Sequence, residues 1–334
     1  MAQKRWKRYG VVLISLFVLV VVIRAVSWIG RFMKTTGVTP GFLMNLVVNS
    51  GTTLRSNEKR TNILLLGIGG GAHEGSDLTD TMIVLSLDKE KASMSMISIP
   101  RDMWSAELRD KVNSAYHYGE EKKIGGGFVL AKSTVADVIG MPVHYVFLID
   151  FTGFQKIIDL VGGIPVNVSA EFTDTEFPVA GRENDECEGD PARACRYELL
   201  HFDSGEQLMD GARALQYVRS RHAQGTEGSD FARSKRQQDV LMALKSKLSD
   251  PGVWFSPRLP MLMQAFDDAT GMDLNISELA TVGKRIAQIP SGNIQKISIE
   301  PLLIAPPPWQ YDGKYVLIPR GEDAEIHAFI NAQL

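Results

Sequence analysis

The chain has 334 residues, of which 44% are hydrophobic and 22% charged, with 30 Gly, 15 Pro and 2 Cys. This balance excludes a disordered, a collagen-like and a disulfide-framework protein, because each needs a stronger compositional bias. The net charge of −3 hides an asymmetry, since residues 1–34 carry +7 and the other 300 residues therefore carry −10.

The N-terminal segment has the pattern of a membrane anchor. An apolar run of 13 residues, Val11–Ile23, lies between basic clusters, and with its flanks it extends from Tyr9 to Ile29. That length approaches the roughly 20 residues that a helix needs to cross a bilayer. A cleaved secretory signal is the alternative, but no small-x-small cleavage site follows the run. We therefore predict a cytoplasmic tail over 1–8 and a transmembrane anchor over 9–30, with the rest of the chain outside the cell.

The remaining sequence predicts a polar stalk followed by one domain. The stalk covers 31–58, with one short helix at Phe42–Val48, and the domain covers 59–334. Short apolar runs alternate with helical patterns in this domain, which predicts a layered α-β-α fold with a central mixed sheet. The predicted strands are 61–68, 81–88, 93–100, 143–150, 164–169, 294–300 and 314–320. The predicted helices are 128–140, 151–163, 260–269, 276–287, one that follows Ser229 and one that begins at Glu322.

The two cysteines lie in a polar, acidic stretch of the domain. Seven residues separate Cys187 from Cys195, and no histidine cluster is nearby to complete a metal site. In an oxidising compartment such a pair closes a small disulfide loop, and two free thiols are the alternative. We favour the disulfide, with a structural role.

Two places near the start of the domain could carry chemistry. The loop Gly67–Thr81 is rich in glycine, so its backbone N–H groups can approach phosphate oxygens. Its Asp77 and Asp80 are carboxylates of the kind that Mg²⁺ prefers, although an ordinary polar loop capped by Asp is the alternative. Arg101 and Asp102 follow the third predicted strand, where an arginine can clamp an anion; a surface ion pair is the alternative there.

The most specific pattern is a basic segment over 211–236. It holds six cations against two acidic residues, a net charge of +4 within an acidic domain. Arg219 and Arg221 are two residues apart, so in an extended segment both point to the same side. Solvated surface charge is one explanation of this segment. Nucleic acid is a poor fit, because the domain is predicted outside the cell and no aromatic residues interleave the charges.

A long helix follows the basic segment and is capped by Ser229 or Asp230. Its apolar stripe runs to Leu248, and the same face continues backwards through Gln237, Arg236 and Arg233. Arginines on an inward face are costly to bury unless an anion or an acid pairs with them. The helix therefore favours an anion site, and diphosphate is the anion that we expect.

These segments together resemble the LytR–CpsA–Psr family of membrane-anchored cell-wall proteins. The resemblance covers Thr61 to about Leu248, with a further match near the C-terminus, and the segments keep the family's order. They are NILLLG, LTDTMIVLSLD, SIPRDMW, KVNSAY, IDLVGGIPV, GEQLMDGARALQYVRSRH, SDFARSKRQQDVL and LIPRGED. The resemblance implies an α/β core with a central sheet and a long apolar groove for a polyprenyl chain.

The resemblance also implies roles for individual residues. Asp80 matches the aspartate associated with Mg²⁺ (or Mn²⁺), with Asp77 as a second candidate ligand. The expected catalytic residues are Arg101, Asp102, Arg219 and Arg221, and Asp102 either acts as a base or orients Arg101. The residues expected to bind the diphosphate are Arg101, Arg219, Arg221, Arg233, Arg236 and Gln237.

One position departs from the family pattern. Many members place an Asp two residues after the first glycine of the LLLG segment, and here that position is Gly69. Asp77, Glu74 or His73 could replace the missing carboxylate. The metal site is therefore the part of the resemblance that the sequence supports least.

The function implied by the resemblance is that of a membrane-anchored phosphotransferase. It would move a glycopolymer-phosphate from a polyprenyl-diphosphate carrier to a peptidoglycan sugar hydroxyl, and could also hydrolyse the lipid diphosphate. The expected partners are the carrier-linked glycopolymer, the peptidoglycan acceptor and the cell membrane, and nucleic acid is not expected. The alternative is a non-catalytic protein that binds polyprenyl diphosphate outside the cell and regulates envelope synthesis.

Overall fold

The chain divides into two compact units, Met1–Gly51 and Thr52–Leu334. The computed structural model describes residues 24, 27, 30, 52–57, 59–71, 75–182, 184–254 and 256–334. The second unit begins at Thr52 rather than at the predicted residue 59, because Leu54 is buried in its core.

The N-terminal predictions fall mostly beyond the described part of the chain. Apart from residues 24, 27 and 30, the predicted anchor over 9–30 lies outside the described residues, and so does the predicted short helix at Phe42–Val48. Among the residues that are described, none of the helices combines the length and the apolar character needed to cross a bilayer. The anchor therefore stays a prediction.

Within its described residues, the second unit contains fourteen strands and nine α-helices. The strands are β1 Arg60–Ile68, β2 Thr79–Asp88, β3 Met94–Ser98, β4 Trp104–Ser105, β5 Asp110–Lys111, β6 Tyr145–Asp150, β7 Ile164–Val168, β8 Phe172–Pro178, β9 Tyr197–Phe202, β10 Gly205–Met209, β11 Thr270–Met272, β12 Ile294–Ser298, β13 Leu303–Ile304 and β14 Ile318–Pro319. The helices are α1 Ala115–Lys122, α2 Gly126–Ile139, α3 Phe151–Leu160, α4 Gly211–Arg219, α5 Asp230–Leu248, α6 Pro251–Trp254, α7 Leu259–Ala269, α8 Ile276–Gln288 and α9 Asp323–Gln333.

The centre of the unit is a six-stranded mixed sheet in the order β11-β6-β1-β2-β3-β12. β1 pairs parallel to β6 and β3 parallel to β12, while β2 is antiparallel to both of its neighbours. The predicted α/β fold with a central mixed sheet is confirmed. The hairpin between β2 and β3 also forms as the sequence predicts.

Helices cover both faces of the central sheet, so its middle strands are buried on both sides. On one face, Leu64 and Leu66 of β1 pack with α2 and α9, for example with Val135. On the other face, Ile63 and Ile83 pack with α8 and, in part, with α5. The alternation of neighbouring β1 residues between the two cores follows from the two-residue period of a strand.

Two predicted strands take places outside the central sheet. The segment predicted at 164–169 forms β7, which pairs with β10 in a separate two-stranded sheet. Only Ile318–Pro319 of the segment predicted at 314–320 forms a strand, β14. The N–H of Leu317 instead donates to the carbonyl oxygen of Asp102 at 2.8 Å, so part of this segment is attached to the chain that follows β3.

A two-stranded ribbon, β8–β9, carries the disulfide at its far end. Cys187 and Cys195 are joined in the connection between the two strands, as the sequence favours. Both cysteines lie in short 3₁₀ turns of the connection, away from the paired part of the ribbon. The bridge closes the connection, while β8 contributes residues to the site described below.

A glycine sets the contact between α3 and α4. Gly211, the first residue of α4, lies against the backbone of α3, and its N–H donates to Asp159 Oδ1 at 2.8 Å. A Cβ atom at this position would lie 2.2 Å from the carbonyl oxygen of Gln155, so only glycine fits without movement of one helix. The position of α4, which ends at Arg219, depends on this approach.

Replacing this glycine is expected to destabilise the fold. Gly211→Ala forces α3 and α4 apart, and such overpacking typically lowers the free energy of unfolding by about 1–3 kcal/mol. The matched control is Gly283→Ala in α8, where an added Cβ meets nothing within 4 Å. Alanine there is expected to raise the free energy of unfolding by about 0.5–1 kcal/mol, because it favours the helix. Urea unfolding of both variants checks the pair, and equal midpoints would contradict the packing described here.

Candidate functional site

The carboxyl ends of four strands meet at one edge of the central sheet. β1, β3, β6 and β12 run in the same direction, and β2 runs against them. In open α/β sheets, ligands bind outside this edge. The Gly-rich loop after β1, Arg101 after β3 and Glu300 after β12 therefore leave the sheet from the same edge.

Asp80 and Arg101 form an ion pair at this edge. The register pairs Ile83 of β2 with Ser98 of β3, so the start of β2 lies beside the segment that leaves β3. Arg101 Nη1 donates to Asp80 Oδ1 at 2.5 Å. Burial lowers the pKa of Arg101, but the nearby carboxylates of Asp80 and Asp102 raise it overall. The pair thus places a charged guanidinium where the sequence predicts an anion clamp.

Asp102 is buried beside Arg101, and both of its carboxylate oxygens are in contact with a cation. Lys111 Nζ donates to Oδ1 at 2.6 Å, and Arg101 Nε donates to Oδ2 at 3.3 Å. The sequence leaves open whether Asp102 acts as a base or orients Arg101. Because two cations already bind its oxygens, the contacts favour orientation of Arg101.

Arg219 is the last residue of α4, so the expected extended segment from Arg219 to Arg221 is wrong. The helix continues through Arg219, and the chain leaves it at Ser220. The guanidinium carbon of Arg219 lies 5.0 Å from the ring centroid of Phe151 and 5.7 Å from that of Phe177. Rings at these distances attract a cation and hold its side chain in place.

A buried carboxylate holds the turn that follows α4. Asp174 of β8 is fully buried, and its Oδ2 accepts from Ser220 Oγ at 2.6 Å. The same oxygen accepts from the backbone N–H groups of Arg221 at 3.1 Å and His222 at 3.2 Å. Burial alone raises the pKa of Asp174, but hydrogen bonds from these groups and from the N–H of Glu176 lower it overall. The exposed side chain of Arg221 therefore extends from a fixed backbone.

α5 begins where the sequence predicts and turns two arginines inward. Ser229 caps it by accepting from the N–H of Ala232 at 3.2 Å. Arg233 is 8% exposed and Arg236 is 2% exposed, which agrees with the inward stripe. Gln237 lies on the same side and donates to Thr81 Oγ1 at 3.0 Å. This bond joins α5 to β2, one residue beyond Asp80.

The guanidinium of Arg236 is satisfied inside the protein. It donates to the carbonyl oxygens of Tyr217 at 3.1 Å, Ser220 at 2.6 Å and Glu227 at 3.0 Å, and to the Glu227 carboxylate at 3.1 Å. Arginine has five N–H groups, and these contacts use four of them. They favour a role for Arg236 in positioning the turn after α4 over direct contact with a diphosphate.

Four charged residues surround Arg233 and define the centre of the site. Burial lowers the pKa of Arg233, the charge of Asp230 raises it, and the positive charges of Arg101 and Arg221 lower it further. Asp230 Oδ1 lies 2.9 Å from Arg233 Nη2, and Asp102 also acts on this guanidinium. The positive charges of Arg101 and Arg221 both reach Arg233, so the arrangement can bind a group with several negative charges.

The predicted metal ligands Asp77 and Asp80 contact different partners. Asp77 Oδ2 lies 2.7 Å from Nδ1 of His117 in α1, whereas Asp80 binds Arg101. In the described ranges, three candidate ligand side chains come together only at Asp185 and the two disulfide-bonded cysteines. Gly69 offers no carboxylate, and His73 and Glu74 lie outside the described residues. Asp77 as a metal ligand stays a prediction.

Four groups around the arginines are not found by the sequence reasoning: Lys111, Asp174, Glu227 and Glu300. Glu300 Oε2 is buried and has no hydrogen-bond partner among the described residues. Burial and the charge of Asp230 raise the pKa of Glu300. Its place at the end of a predicted strand is a signal that could identify it, whereas nothing in the local sequence distinguishes Lys111.

Comparisons with known proteins identify relatives of this chain. The chain is 32% identical over 195 residues to the polyisoprenyl-teichoic acid–peptidoglycan teichoic acid transferase TagU of Oceanobacillus iheyensis, which covers 57% of the chain and 52% of that relative. It is 31% identical over 199 residues to the corresponding transferase TagV of Bacillus subtilis, covering 58% and 44% respectively. The chain thus spans about half the length of the curated relatives that it matches.

Solved structures share the fold. The crystal structure of B. subtilis TagV has a TM-score of 0.58 at 24% identity and covers 84% of this chain and 98% of its own. A structure of TagT bound to LI-WTA has a TM-score of 0.57 at 21% identity and covers 84% and 94%. The model of the LytR_cpsA_psr family matches residues 41–325, which include the whole arginine cluster. The chain belongs to the LytR–CpsA–Psr family.

Proposed function

We propose that this protein is a phosphotransferase that moves a glycopolymer-phosphate from a polyprenyl-diphosphate carrier to a sugar hydroxyl of peptidoglycan. The observation that carries the proposal is the cluster of Arg101, Arg221 and Arg233 at the carboxyl edge of the sheet. The similar TagU and TagV proteins are polyisoprenyl-teichoic acid–peptidoglycan teichoic acid transferases, which have the same donor and acceptor classes.

The proposed chemistry follows from the charges of the cluster. The acceptor hydroxyl oxygen attacks the phosphorus that carries the glycopolymer, and as the new P–O bond forms its proton passes, directly or through water, to the phosphate that leaves. The bond from this phosphorus to the bridging oxygen breaks, and polyprenyl phosphate leaves. Negative charge develops on the phosphate oxygens and the leaving group, and preorganised guanidinium groups stabilise it. Water in place of the sugar would give hydrolysis of the lipid diphosphate at the same site.

A divalent cation, Mg²⁺ or Mn²⁺, belongs to the same proposal. Mg²⁺ is commonly held by one or two carboxylates together with substrate phosphates, rather than by a cage of protein ligands. Asp80 offers such a carboxylate next to Arg101. Its oxygen atoms suit an ion that the diphosphate would also coordinate. The bound ion would neutralise charge on the phosphate oxygens.

We also propose that the protein is held in the cell membrane by residues 9–30, with the N-terminus in the cytoplasm and the domain outside. The polyprenyl carrier is itself a membrane lipid, so anchoring confines enzyme and donor to the same surface. The basic residues that precede the apolar run favour this orientation. No ATP is required, because the diphosphate bond supplies the free energy of transfer.

Loss of a single arginine is expected to abolish most of the turnover. With a polyprenyl-diphosphate sugar, Mg²⁺ and a peptidoglycan acceptor, Arg219→Ala and Arg221→Ala should each lower kcat by about 100-fold or more, because each removes stabilisation of the transition-state charge. Arg258→Ala, an exposed arginine elsewhere on the surface, is the matched control and should leave the rate unchanged. Wild-type protein that binds the donor without turnover in any acceptor would contradict the transferase and favour a regulatory lipid-binding protein.

Asp174 gives a second prediction, because the proposed site depends on the turn that it holds. Asp174→Asn replaces one acceptor by a donor, and the free energy of unfolding should fall by about 1–3 kcal/mol near neutral pH. The folded-state pKa of Asp174 lies below its usual 3.8, so its contribution is present above that value and is lost as the pH falls through the folded-state pKa. Unfolding curves of wild type and variant should therefore converge as the pH falls below the lowered folded-state pKa of Asp174. If the difference in the free energy of unfolding between wild type and Asp174→Asn did not change with pH, Asp174 would not be ionised in the folded protein.

A further inference from the structure

An aromatic loop borders the arginine cluster and takes no part in the diphosphate chemistry described above. This loop, residues 306–315, follows β13 and carries Trp309, Tyr311 and Tyr315. Trp309 is 77% exposed and Tyr315 is 50% exposed. Aromatic rings contribute most to stability and binding when they are shielded from water. Exposed rings beside a site therefore indicate a surface that another molecule covers.

The aromatic loop is held in one conformation by its own hydrogen bonds. The N–H of Gly313 donates to the carbonyl oxygen of Pro308 at 2.9 Å, and the N–H of Lys314 donates to that of Tyr311 at 2.9 Å. Lys314 Nζ also donates to Asp110 Oδ1 at 2.7 Å, which fastens the loop to β5. Rings on such a loop need little ordering when a ligand binds, and this preorganisation favours affinity.

The aromatic loop is attached to the chain segment that carries Asp102. Leu317, two residues beyond the loop, donates its N–H to the carbonyl oxygen of Asp102 and accepts the N–H of Trp104 at 2.9 Å. The ring of Trp104 meets that of Tyr311 edge to face, with 4.9 Å between centroids and 70° between planes. Trp104 therefore extends the aromatic surface to within two residues of Asp102.

Carboxylates of the site lie at the other end of this surface. Burial and the negative charges of Asp230, Asp102 and Glu300 raise the pKa of Tyr315, so its phenol group lies in their field. Glu300 Oε2 lacks a hydrogen-bond partner among the described residues. The surface thus runs from exposed rings to Asp230, whose side chain is 30% exposed and can accept hydrogen bonds from hydroxyl groups.

We propose that Trp104, Trp309, Tyr311 and Tyr315 form an acceptor subsite that binds the glycan strand of peptidoglycan. The proposal rests on the transferase function proposed above and names the place where its acceptor binds. Sugar rings present apolar C–H faces that pack on aromatic rings, and hydroxyl groups that donate to carboxylates, and this surface offers both kinds of partner. A glycan strand lying across the rings would bring a hydroxyl to the diphosphate held by the arginines.

The charges near Tyr315 favour a glycan over a lipid surface. Exposed Trp and Tyr residues also suit the interface of a bilayer. Tyr315, however, lies in the field of the carboxylates of Asp102, Asp230 and Glu300, which an anionic lipid surface would repel. We therefore treat membrane binding by the aromatic loop as an outcome that would overturn the proposal.

The test is equilibrium binding of a β-1,4-linked N-acetylglucosamine tetramer to the full chain in detergent, measured by calorimetry without any donor. Trp309→Ala and Tyr315→Ala should each weaken binding by roughly fivefold or more, because each removes one ring from the stacking surface. Both rings are at least half exposed, so these variants should fold as wild type does. The matched control is Trp254→Ala in α6, a ring that is 52% exposed and lies outside the aromatic loop, and its affinity should not change.

Three results would overturn the subsite. The first is that the wild-type chain does not bind the tetramer, and the second is that both variants bind it as tightly as wild type does. The third is that Trp309→Ala loses binding to phosphatidylglycerol vesicles but keeps binding to the tetramer. The failure of the transferase function is distinguishable, because this assay needs no turnover. Binding that depends on Trp309 together with an absence of transfer would contradict the transferase and leave the glycan subsite in place.

Discussion

The burial of one guanidinium group fixes the geometry of the site. Arg236 is 2% exposed, and a charge at that depth is tolerated only when its N–H groups are paired. Its partners are carbonyl oxygens of Tyr217 and Ser220, at the end of α4, and of Glu227, just before α5. A buried side chain of α5 therefore determines the path of the chain that carries Arg219 and Arg221.

A second constraint holds the same segment from the opposite side. Asp174 accepts the hydroxyl of Ser220 and the next two backbone N–H groups, so Ser220 bonds both to the buried arginine through its carbonyl and to the buried aspartate through its hydroxyl. Arg221 is exposed but extends from a backbone that cannot easily rearrange. Charges fixed in advance stabilise a transition state without the cost of reorganisation, which is the property that phosphoryl transfer requires.

The sequence predicts the parts of the site that depend on local patterns, and it misses those that depend on distant contacts. The central strands, the cap at Ser229 and the inward face that includes Arg233 follow from periodicity and cap chemistry. Asp174 is missed because it lies within a polar run of β8, Thr173–Glu176, and the residues that it holds after α4 lie 46 to 48 residues away. The helical end at Arg219 is missed because two arginines with one residue between them fit a strand as well as a helix terminus.

The claim that exposed and buried arginines at the sheet edge together bind a diphosphate is tested most directly by affinity. The measurement is calorimetric binding of farnesyl diphosphate, a short polyprenyl diphosphate, to the full chain at fixed salt, with wild type compared to Arg221→Gln and to Arg258→Gln. We predict that Arg221→Gln weakens binding about tenfold or more, because one charge-assisted contact with the diphosphate is lost. Its Tm should not change, because the side chain is exposed. Arg258→Gln should bind as wild type does. Equal affinity of Arg221→Gln and wild type would contradict this claim.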